Sequence, residues 1–343
     1  MTIYQSKDLH PMFQVTPPTS MSLPRVLCLG EILFDCLADQ IGKPYEAVES
    51  WTPYPGGAPA NVACALVKLG TSAGFVGCIG EDEPGDRLVT LLEEVGVERT
   101  GIQRHPTAPT RQVYVVRTTD GDREFAGFGE FDTREFADTH LQAEALPESL
   151  FESADFLVMG TLEMAYPDSE VAIARARELA QQYGIRVLID VNWRPVFWQD
   201  AAAAKAKIRA IVETVDFLKL SDDEAQWLFE TPDAAAVAQH LPQVSGVLVT
   251  RGSRGCSYCF GEVSGDIPAF SVQAQDTTGA GDGFAAGFVH QLCLRGVETL
   301  QDAETVREMV EYASAVGGLT ATKPGAIAAQ PTAEEVRQFL DRQ

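Results

Sequence analysis

Short apolar runs alternate with amphipathic stretches along most of the chain, a pattern typical of an α/β protein. Apolar runs that end in Gly or a turn residue predict buried strands at 25–30, 73–79, 156–159, 187–190, 217–220, 247–250 and 255–260. Apolar residues at helical spacing predict helices at 58–69, 84–95, 168–183, 205–213, 222–229, 234–240, 279–294 and 306–321. Such alternation predicts a mostly parallel sheet with helices on both faces, with ligands at the carboxyl ends of its strands.

Two stretches depart from this rhythm and predict a second, smaller sheet. Residues 111–118 and 123–128 alternate apolar and polar side chains on either side of Asp120-Gly121, a strong hairpin turn signal. Residues 37–55 are mixed in character and contain three Pro and one Gly. We therefore expect one large domain over 24–340, with a β-sheet lid built from about 36–55 and 108–130.

Composition narrows the classes of function. The 343 residues are 45% hydrophobic and 22% charged, which fits a globular chain with a substantial core. The net charge of -23 argues against a nucleic-acid partner and weakly against an anionic membrane, because both need clustered Lys and Arg. No apolar run is long enough to predict a transmembrane helix.

The chain start and the cysteines favour a cytoplasmic location. Residues 1–23 are polar and Pro-rich and lack the apolar segment of a secretory signal, so we expect a flexible tail. Seven scattered cysteines are typical of reduced thiols. Cys256 and Cys259 form a CxxC pattern, but they lie in a predicted strand, where residues three apart point to opposite faces. We therefore do not expect them to bind a metal.

A Gly-rich turn leads directly into an apolar helix in the segment Gln275-Asp-Thr-Thr-Gly-Ala-Gly-Asp-Gly-Phe284. The first N–H groups of a helix have no intrahelical partner, and the helix dipole favours an anion there. The small residues Gly279, Ala280 and Gly281 let a phosphoryl group approach the backbone, and Asp282 follows as a candidate general base. A tight strand-to-helix turn capped by an Asp explains the same composition, and both interpretations stay open at this point.

A second Gly-rich segment, Pro55-Gly-Gly-Ala-Pro-Ala-Asn61, also opens a predicted helix. Its amide side chain at Asn61 can both donate to and accept from hydroxyl groups. Asp35 follows the first strand on the expected ligand side, where a carboxylate can accept two hydroxyl protons. A capping role for Asn61 and a turn role for Asp35 explain the same positions.

Together the two segments resemble the two signature stretches of the ribokinase-like (PfkB) carbohydrate kinase family, in the expected order. The resemblance covers nearly all of residues 24–340. Four further segments resemble family motifs: Asp190-Val-Asn-Trp-Arg194, Leu218-Lys-Leu-Ser-Asp-Asp-Glu224, Val249-Thr-Arg-Gly-Ser-Arg-Gly255 and Thr320-Ala-Thr-Lys-Pro-Gly-Ala326. Within the family, Glu31-Ile-Leu-Phe-Asp35 and Gly80-Glu-Asp-Glu-Pro-Gly85 are most similar to the corresponding segments of fructokinases.

The resemblance implies roles for individual residues. Asp282 would be the catalytic base, with Gly279, Ala280 and Gly281 as the anion hole. The implied sugar-binding residues are Asp35, Gly56, Gly57, Asn61, Asn192 and Arg194. The implied ATP-binding residues are Lys219, Glu224, Thr250, Gly252 and Gly255. Glu224 would also organise water around Mg²⁺, and a monovalent cation such as K⁺ would lie at Asp276, Thr278 and the carbonyl of Gly325.

The resemblance implies an ATP-dependent sugar kinase, with fructose as the favoured acceptor. A different acceptor, such as 2-keto-3-deoxygluconate, another sugar or a nucleoside, remains an alternative, as does a kinase-like protein that binds without catalysis. The chain departs from the family pattern at Ser221, where an NxxE motif has Asn, and at Gly129-Glu130, where fructokinases often carry an Arg near the sugar. An apolar lid face also predicts a homodimer through the lid.

Overall fold

The computed structural model of the chain describes residues 23–119 and 123–343. Residues 1–22, which hold nearly all of the predicted tail, lie outside the described residues. The predicted hairpin turn at Asp120-Gly121 lies outside them as well.

Within the described residues the backbone forms thirteen strands and ten α-helices. The strands are β1 (Val26–Leu29), β2 (Leu33–Ile41), β3 (Trp51–Gly56), β4 (Ala73–Gly80), β5 (Glu98–His105), β6 (Gln112–Arg117), β7 (Arg123–Gly127), β8 (Phe156–Met159), β9 (Arg186–Asp190), β10 (Phe217–Ser221), β11 (Gly246–Thr250), β12 (Cys256–Phe260) and β13 (Val263–Ile267). The helices are α1 (Ala58–Leu69), α2 (Glu83–Val95), α3 (Glu148–Phe151), α4 (Pro167–Tyr183), α5 (Ala201–Val212), α6 (Asp222–Phe229), α7 (Ala234–His240), α8 (Ala280–Arg295), α9 (Ala303–Thr320) and α10 (Ala333–Leu340).

Nine of these strands form one large sheet in the order β13-β12-β11-β10-β9-β8-β1-β4-β5. All neighbours pair in parallel except β11 with β12 and β12 with β13, which are antiparallel. Side chains alternate between two packed layers: Val26 and Cys28 contact the layer that holds α1, α2, α8, α9 and α10, and Leu27 and Leu29 contact the layer that holds α3 to α7. The predicted three-layer α/β architecture is confirmed.

The remaining strands form a small sheet, in the order β3-β2-β6-β7. The β2–β3 and β6–β7 pairs are antiparallel, and β2 pairs with β6 in parallel. The segments that build it are 33–56 and 112–127, so the sheet begins three residues before the predicted lid range. We refer to these four strands as the small sheet.

Sequence patterns missed the two edge strands of the large sheet, β5 and β13, and the terminal helix α10. In β5 only Gly101 is buried, because an edge strand at the rim of the molecule packs few side chains and so carries little apolar signal. Helix α5 also begins earlier than predicted. The side chain of Asp200 accepts hydrogen bonds from the N–H groups of Ala202 and Ala203 and fixes its start.

The seven cysteines are free and buried. Cys256 packs in one layer and Cys259 in the other, as expected for residues three apart in a strand. Among the residues that the structure describes, no helix is both long and apolar enough to cross a membrane.

Candidate active site

A cleft of about 840 Å³ lies between the small sheet and the carboxyl ends of the parallel strands. Three residues at these strand ends line it: Asn192 follows β9, Ser221 ends β10 and Thr250 ends β11. Asp35 and Val113 of the small sheet line the opposite wall. Polar groups from several strands therefore converge in one concave site, as expected for a small-molecule pocket of an α/β protein.

Most of the predicted site residues line this cleft. They are Asp35, Gly57, Asn61, Asn192, Arg194, Lys219, Glu224, Thr250, Asp276, Thr278, Gly279, Gly281, Asp282 and Gly325. Gly56, Ala280, Gly252 and Gly255 do not line it. Gly56 lies directly behind Asp35, since a Cβ on it would stand 2.8 Å from the Asp35 Oδ2. The binding roles of all these residues stay predictions.

The turn before α8 has the geometry of an anion site. Gly279 adopts a left-handed φ of 78°, and a Cβ there would lie 2.8 Å from the Cβ of Ala326, so no other residue fits without strain. The N–H of Ala280 donates to the carbonyl of Thr277 at 3.2 Å, so it is already used within the turn. Within the described residues, the N–H groups of Gly281 and Asp282 have no hydrogen-bond acceptor. These two groups, rather than that of Ala280, are the open donors of this helix.

Asp282 is half-buried on the first turn of α8, and its Oδ2 accepts a hydrogen bond of 2.8 Å from Asn61 Nδ2. Burial raises the pKa of Asp282, while the Asn61 hydrogen bond and the charges of Lys219 and Arg194 oppose that rise. Desolvation makes the carboxylate more basic, and the nearby donors stabilise its ionised form. Such a carboxylate is suited to accept a proton from a hydroxyl group.

A buried ion pair lies next to this turn. Lys219 Nζ is 2.8 Å from Asp190 Oδ2, and both side chains are buried. Burial lowers the pKa of Lys219, but the charges of Asp190 and Glu224 outweigh it and raise the pKa overall, so Lys219 is a cation. A Cβ on Gly281 would lie 3.0 Å from Lys219 Nζ, so this ammonium stands beside the open N–H groups of α8.

The opposite wall carries the carboxylate of Asp35, on β2. Burial raises its pKa to about 6, although the charges of Arg123 and Arg194 oppose the rise. Asn192 adopts a left-handed φ of 43°, a conformation that Asn tolerates better than most residues. That turn directs the chain after β9 along the cleft, so that both Asn192 and Arg194 line it.

The N-terminus of α1 lies beside that of α8, and a carboxyl group accepts its first N–H. The N–H of Ala58 donates to Glu31 Oε1 at 2.8 Å. Burial raises the pKa of Glu31 to about 7, although the Ala58 hydrogen bond opposes the rise, and burial next to Glu31 raises the pKa of Glu163 well above its usual value. Gly57 adopts a φ of 104°, and a Cβ there would stand 2.5 Å from the Glu31 carbonyl oxygen.

Comparison with known proteins assigns the chain to a family. The sequence profile of the pfkB family carbohydrate kinases matches residues 23–333. The chain belongs to this family. The resemblance seen in the two Gly-rich segments is thereby confirmed, and with it a phosphotransferase that acts on a sugar hydroxyl.

Individual relatives extend over nearly the whole chain. Probable fructokinase-6 (chloroplastic) of Arabidopsis thaliana is 36% identical over 321 residues, which cover 92% of this chain and 82% of that protein. The structure of a Xylella fastidiosa fructokinase with bound ATP is 31% identical, has a TM-score of 0.84 and aligns over 94% of this chain and 99% of its own. A Vibrio cholerae O395 fructokinase double mutant, in a form with fructose, ADP and potassium ion bound, is 26% identical, with a TM-score of 0.80 and coverage of 94% and 99%.

Glu224 fits a water-mediated contact with the Mg²⁺ that the family resemblance implies. Its Oε1 accepts from the N–H of Trp193 at 2.6 Å and its Oε2 from that of Ser221 at 2.7 Å. A carboxylate offers about four acceptor sites, so Glu224 retains two that can hold water at the edge of the cleft. Ser221, which stands where the family motif has Asn, serves as the N-cap of α6 in a reciprocal capping box with Glu224.

The oxygens predicted to hold a monovalent cation already accept several hydrogen bonds, including two from a guanidinium. Oδ2 of Asp276 accepts from the N–H of Gly325 at 2.9 Å and from Arg123 Nη2 at 2.9 Å, and Oδ1 accepts from the N–H of Thr278 at 3.0 Å. The hydroxyl of Thr278 accepts from Arg123 Nη1 at 2.7 Å. The carbonyl of Gly325 accepts from the N–H of Ala329 at 3.2 Å. The guanidinium of Arg123 therefore places a positive charge directly at Asp276.

Sequence reasoning missed Arg123 and Asp190 as neighbours of the site. Asp190 stands in the quoted segment that ends at Arg194, and its place at the end of a strand was an available signal. Arg123 follows the predicted hairpin turn, and nothing local in the sequence indicates that it reaches across the cleft. Conversely, Gly129 and Glu130, where the chain departs from the fructokinase pattern, are exposed and do not line the cleft.

Proposed function

We propose that this carbohydrate kinase transfers the γ-phosphoryl group of ATP to a primary hydroxyl of fructose, with Asp282 as the general base. One observation carries the proposal. A desolvated carboxylate stands on the first turn of α8, held by Asn61 at 2.8 Å, beside the open N–H groups of Gly281 and Asp282. A base and an anion site at one helix end are what transfer from a phosphate to a hydroxyl requires.

The residues of the two walls take complementary roles in this proposal. Asp35 and Asn61 hold the sugar hydroxyls, with Gly57, Asn192 and Arg194 around them. Asp282 then removes the proton of the attacking sugar hydroxyl. The hydroxyl oxygen bonds to the γ-phosphorus while the bond between that phosphorus and the ADP oxygen breaks. The N–H groups at the start of α8 and the Lys219 ammonium lie where charge develops on the transferred group.

The ATP side rests on the ends of β10 and β11. Thr250 lines the cleft there, and the turn from Gly252 to Gly255 follows it. Mg²⁺ bound to the phosphates would neutralise part of their charge and, through water, meet Glu224. Support comes from relatives: a fructokinase structure with ATP and another with fructose and ADP share this fold at 31% and 26% identity.

A panel of acceptors tests the proposal. The purified chain, with ATP and Mg²⁺, is assayed for ADP release with fructose, glucose, ribose, 2-keto-3-deoxygluconate and adenosine. We expect the highest kcat/KM with fructose. The NMR spectrum of the product should show the phosphoryl group on a primary hydroxyl. The Asp282→Asn variant, purified in parallel, controls for contaminating kinases. A clear preference for another acceptor overturns fructose, and absence of turnover with every acceptor despite ATP binding favours a non-catalytic binding protein.

Movement of the small sheet over bound sugar, a homodimer through this sheet and a cytoplasmic location complete the proposal. The small sheet carries an apolar wall of the cleft, including Val113, Val115 and Phe125, which supports a lid that excludes water. Sedimentation velocity of the chain with and without sugar tests the dimer, and a monomer at all concentrations removes that part alone.

A further inference from the structure

Arg123, the first residue of β7, reaches from the small sheet to the loop that precedes α8. Its Nη2 donates to Asp276 Oδ2 at 2.9 Å, and its Nη1 donates to Thr278 Oγ1 at 2.7 Å. The two bonds use two arms of one planar guanidinium, which gives the contact directional specificity as well as charge. Side chains of the small sheet and of the α8 loop are thereby joined directly across the cleft.

The receiving carboxylate is built into the core. The Asp276 side chain is only 5% exposed and also accepts the N–H groups of Gly325 and Thr278. A buried carboxylate needs a positive partner, and Arg123 is the cation that forms an ion pair with it among the described residues.

The position of this ion pair connects it to the chemistry. Asp276 and Thr278 immediately precede Gly279, whose left-handed turn orients the open N–H groups of Gly281 and Asp282. The Arg123 charge also opposes the rise in the pKa of Asp35 on the opposite wall. One guanidinium therefore acts on the small sheet, on a predicted sugar ligand and on the turn that forms the anion site.

We propose that Arg123 is a positioning residue, whose guanidinium supplies in cis the positive charge that a monovalent cation would otherwise provide at Asp276 and Thr278. Its two bonds hold the turn before α8 in register while the small sheet covers the cleft. Turnover of the native chain is then independent of K⁺, and loss of the guanidinium makes turnover dependent on an added cation. The inference rests on the proposed kinase function.

The test compares Arg123→Ala and Arg123→Lys with a matched control, Arg117→Ala. Arg117 lies on β6 of the same small sheet, but its guanidinium donates to the carbonyls of Ala38 and Asp39 within that sheet. Each chain is assayed with its best sugar in buffer free of alkali-metal ions, then with KCl, and then with millimolar guanidinium chloride.

We expect kcat/KM of Arg123→Ala to fall at least about tenfold without added cation, the low end for losing hydrogen bonds to a charged group. KCl or guanidinium should restore much of that loss, and neither should change the native chain or Arg117→Ala. Arg123→Lys should retain part of the activity, because an ammonium keeps the charge but lacks the two-armed geometry. Equal K⁺ stimulation of the native chain and Arg123→Ala overturns the proposal, as does unchanged kcat/KM in Arg123→Ala.

Amide hydrogen exchange separates this inference from the proposed function. In the ligand-free chain, Arg123→Ala should speed exchange over 276–283, whereas Arg117→Ala should leave it unchanged. Faster exchange in a chain that phosphorylates no acceptor would retain the positioning role and discard the kinase assignment. Unchanged exchange over 276–283, in a chain that does phosphorylate sugar, would discard the positioning role alone.

Discussion

The N-termini of α1 and α8 face the same cleft, and both follow Gly-rich turns. They differ in the hydrogen-bond acceptors available to their first N–H groups. At α1 the N–H of Ala58 is taken by Glu31, and Pro59 has no N–H to offer. At α8 the described residues provide no acceptor for the N–H groups of Gly281 and Asp282. Among the described residues, the α1 end keeps one N–H group without an acceptor, that of Ala60, whereas the α8 end offers two adjacent ones.

The difference shows that a glycine turn before a helix is not by itself an anion site. An internal carboxyl group accepts the first N–H of α1, and that helix presents a side chain, Asn61, to the cleft. Asn61 then joins the two ends, because its amide holds Asp282 at 2.8 Å. The α1 end positions the base, and the α8 end receives the charge.

The largest effect should come from the α8 end. Asp282→Asn keeps the shape of the side chain but cannot accept the hydroxyl proton, so we expect kcat to fall at least about 10²-fold, the low end for a lost general base. Steady-state kinetics with the best sugar measure it, and ATP affinity should stay close to native. Asp302→Asn, at the N-cap of α9, is a matched control, because Asn caps helices as well as Asp. Near-native turnover of Asp282→Asn would remove it as the base.

Breaking the bond between the two ends should have the next largest effect. Asn61→Ala removes a hydrogen bond to a charged group, and we expect kcat/KM to fall about tenfold. The pKa of Asp282 should rise further, because that bond opposes its rise, so the acidic limb of the pH profile moves to higher pH. Gln330→Ala is the control, since Gln330 Nε2 donates to the backbone carbonyl of Asn61 and not to its side chain. An equal loss in both variants would assign the effect to backbone position.

Lowering the pH should reduce activity while it increases the contribution of Asp35 to stability. With the pKa of Asp35 raised to about 6, kcat/KM should fall about tenfold per pH unit below that value as its sugar-binding carboxylate is protonated. The contribution of Asp35 to the free energy of unfolding changes in the opposite direction. Between about pH 6 and pH 4 the folded Asp35 binds a proton that the unfolded chain does not, so this group favours folding increasingly as pH falls.

Urea unfolding across this pH window, for the native chain and Asp35→Asn, measures that contribution. The variant should lose it. Identical pH slopes for the two chains would show that Asp35 ionises normally in the folded state. Asp190, with a pKa raised to about 6 by burial against the opposing charge of Lys219, contributes a slope of the same sign in both chains.

The smallest effect should come from the α1 end. Glu31→Gln retains an oxygen that accepts from Ala58, so we expect a change in the free energy of unfolding of no more than about 1 kcal/mol and nearly native turnover. Glu31→Leu leaves that part-buried N–H without its partner and should cost about 1 kcal/mol or more. Urea unfolding distinguishes them. A Gln variant as unstable as the Leu variant would mean that α1 needs the charge of Glu31 and not only its oxygen.

Much of the fold followed from the chain, because buried strands and helices carry strong apolar periods. The bounds of α1, α6, α7 and β8 agree with the prediction to the residue. The edge strands β5 and β13 were not predicted, because they pack few side chains and no apolar run marks them.

Local sequence patterns identified most candidate residues that line the cleft but did not reveal their hydrogen-bond partners. The Asn61–Asp282 bond spans 221 positions and the Arg123–Asp276 bond 153, and no spacing rule reaches that far. The turn before α8 also differs in detail from expectation, because the N–H of Ala280 is spent on Thr277. Such contacts depend on how the packed layers meet, which only the folded chain determines.

Helix α8 is buried continuously from Gly283 to Cys293, whereas the small sheet that faces it is half-exposed. A substitution in α8 disturbs the packed layer of helices that holds it, but one at Val113 or Phe125 alters mainly the outline of the cleft. Substitutions on the small sheet can therefore reshape the wall of the cleft while the helix that carries Asp282 stays in place.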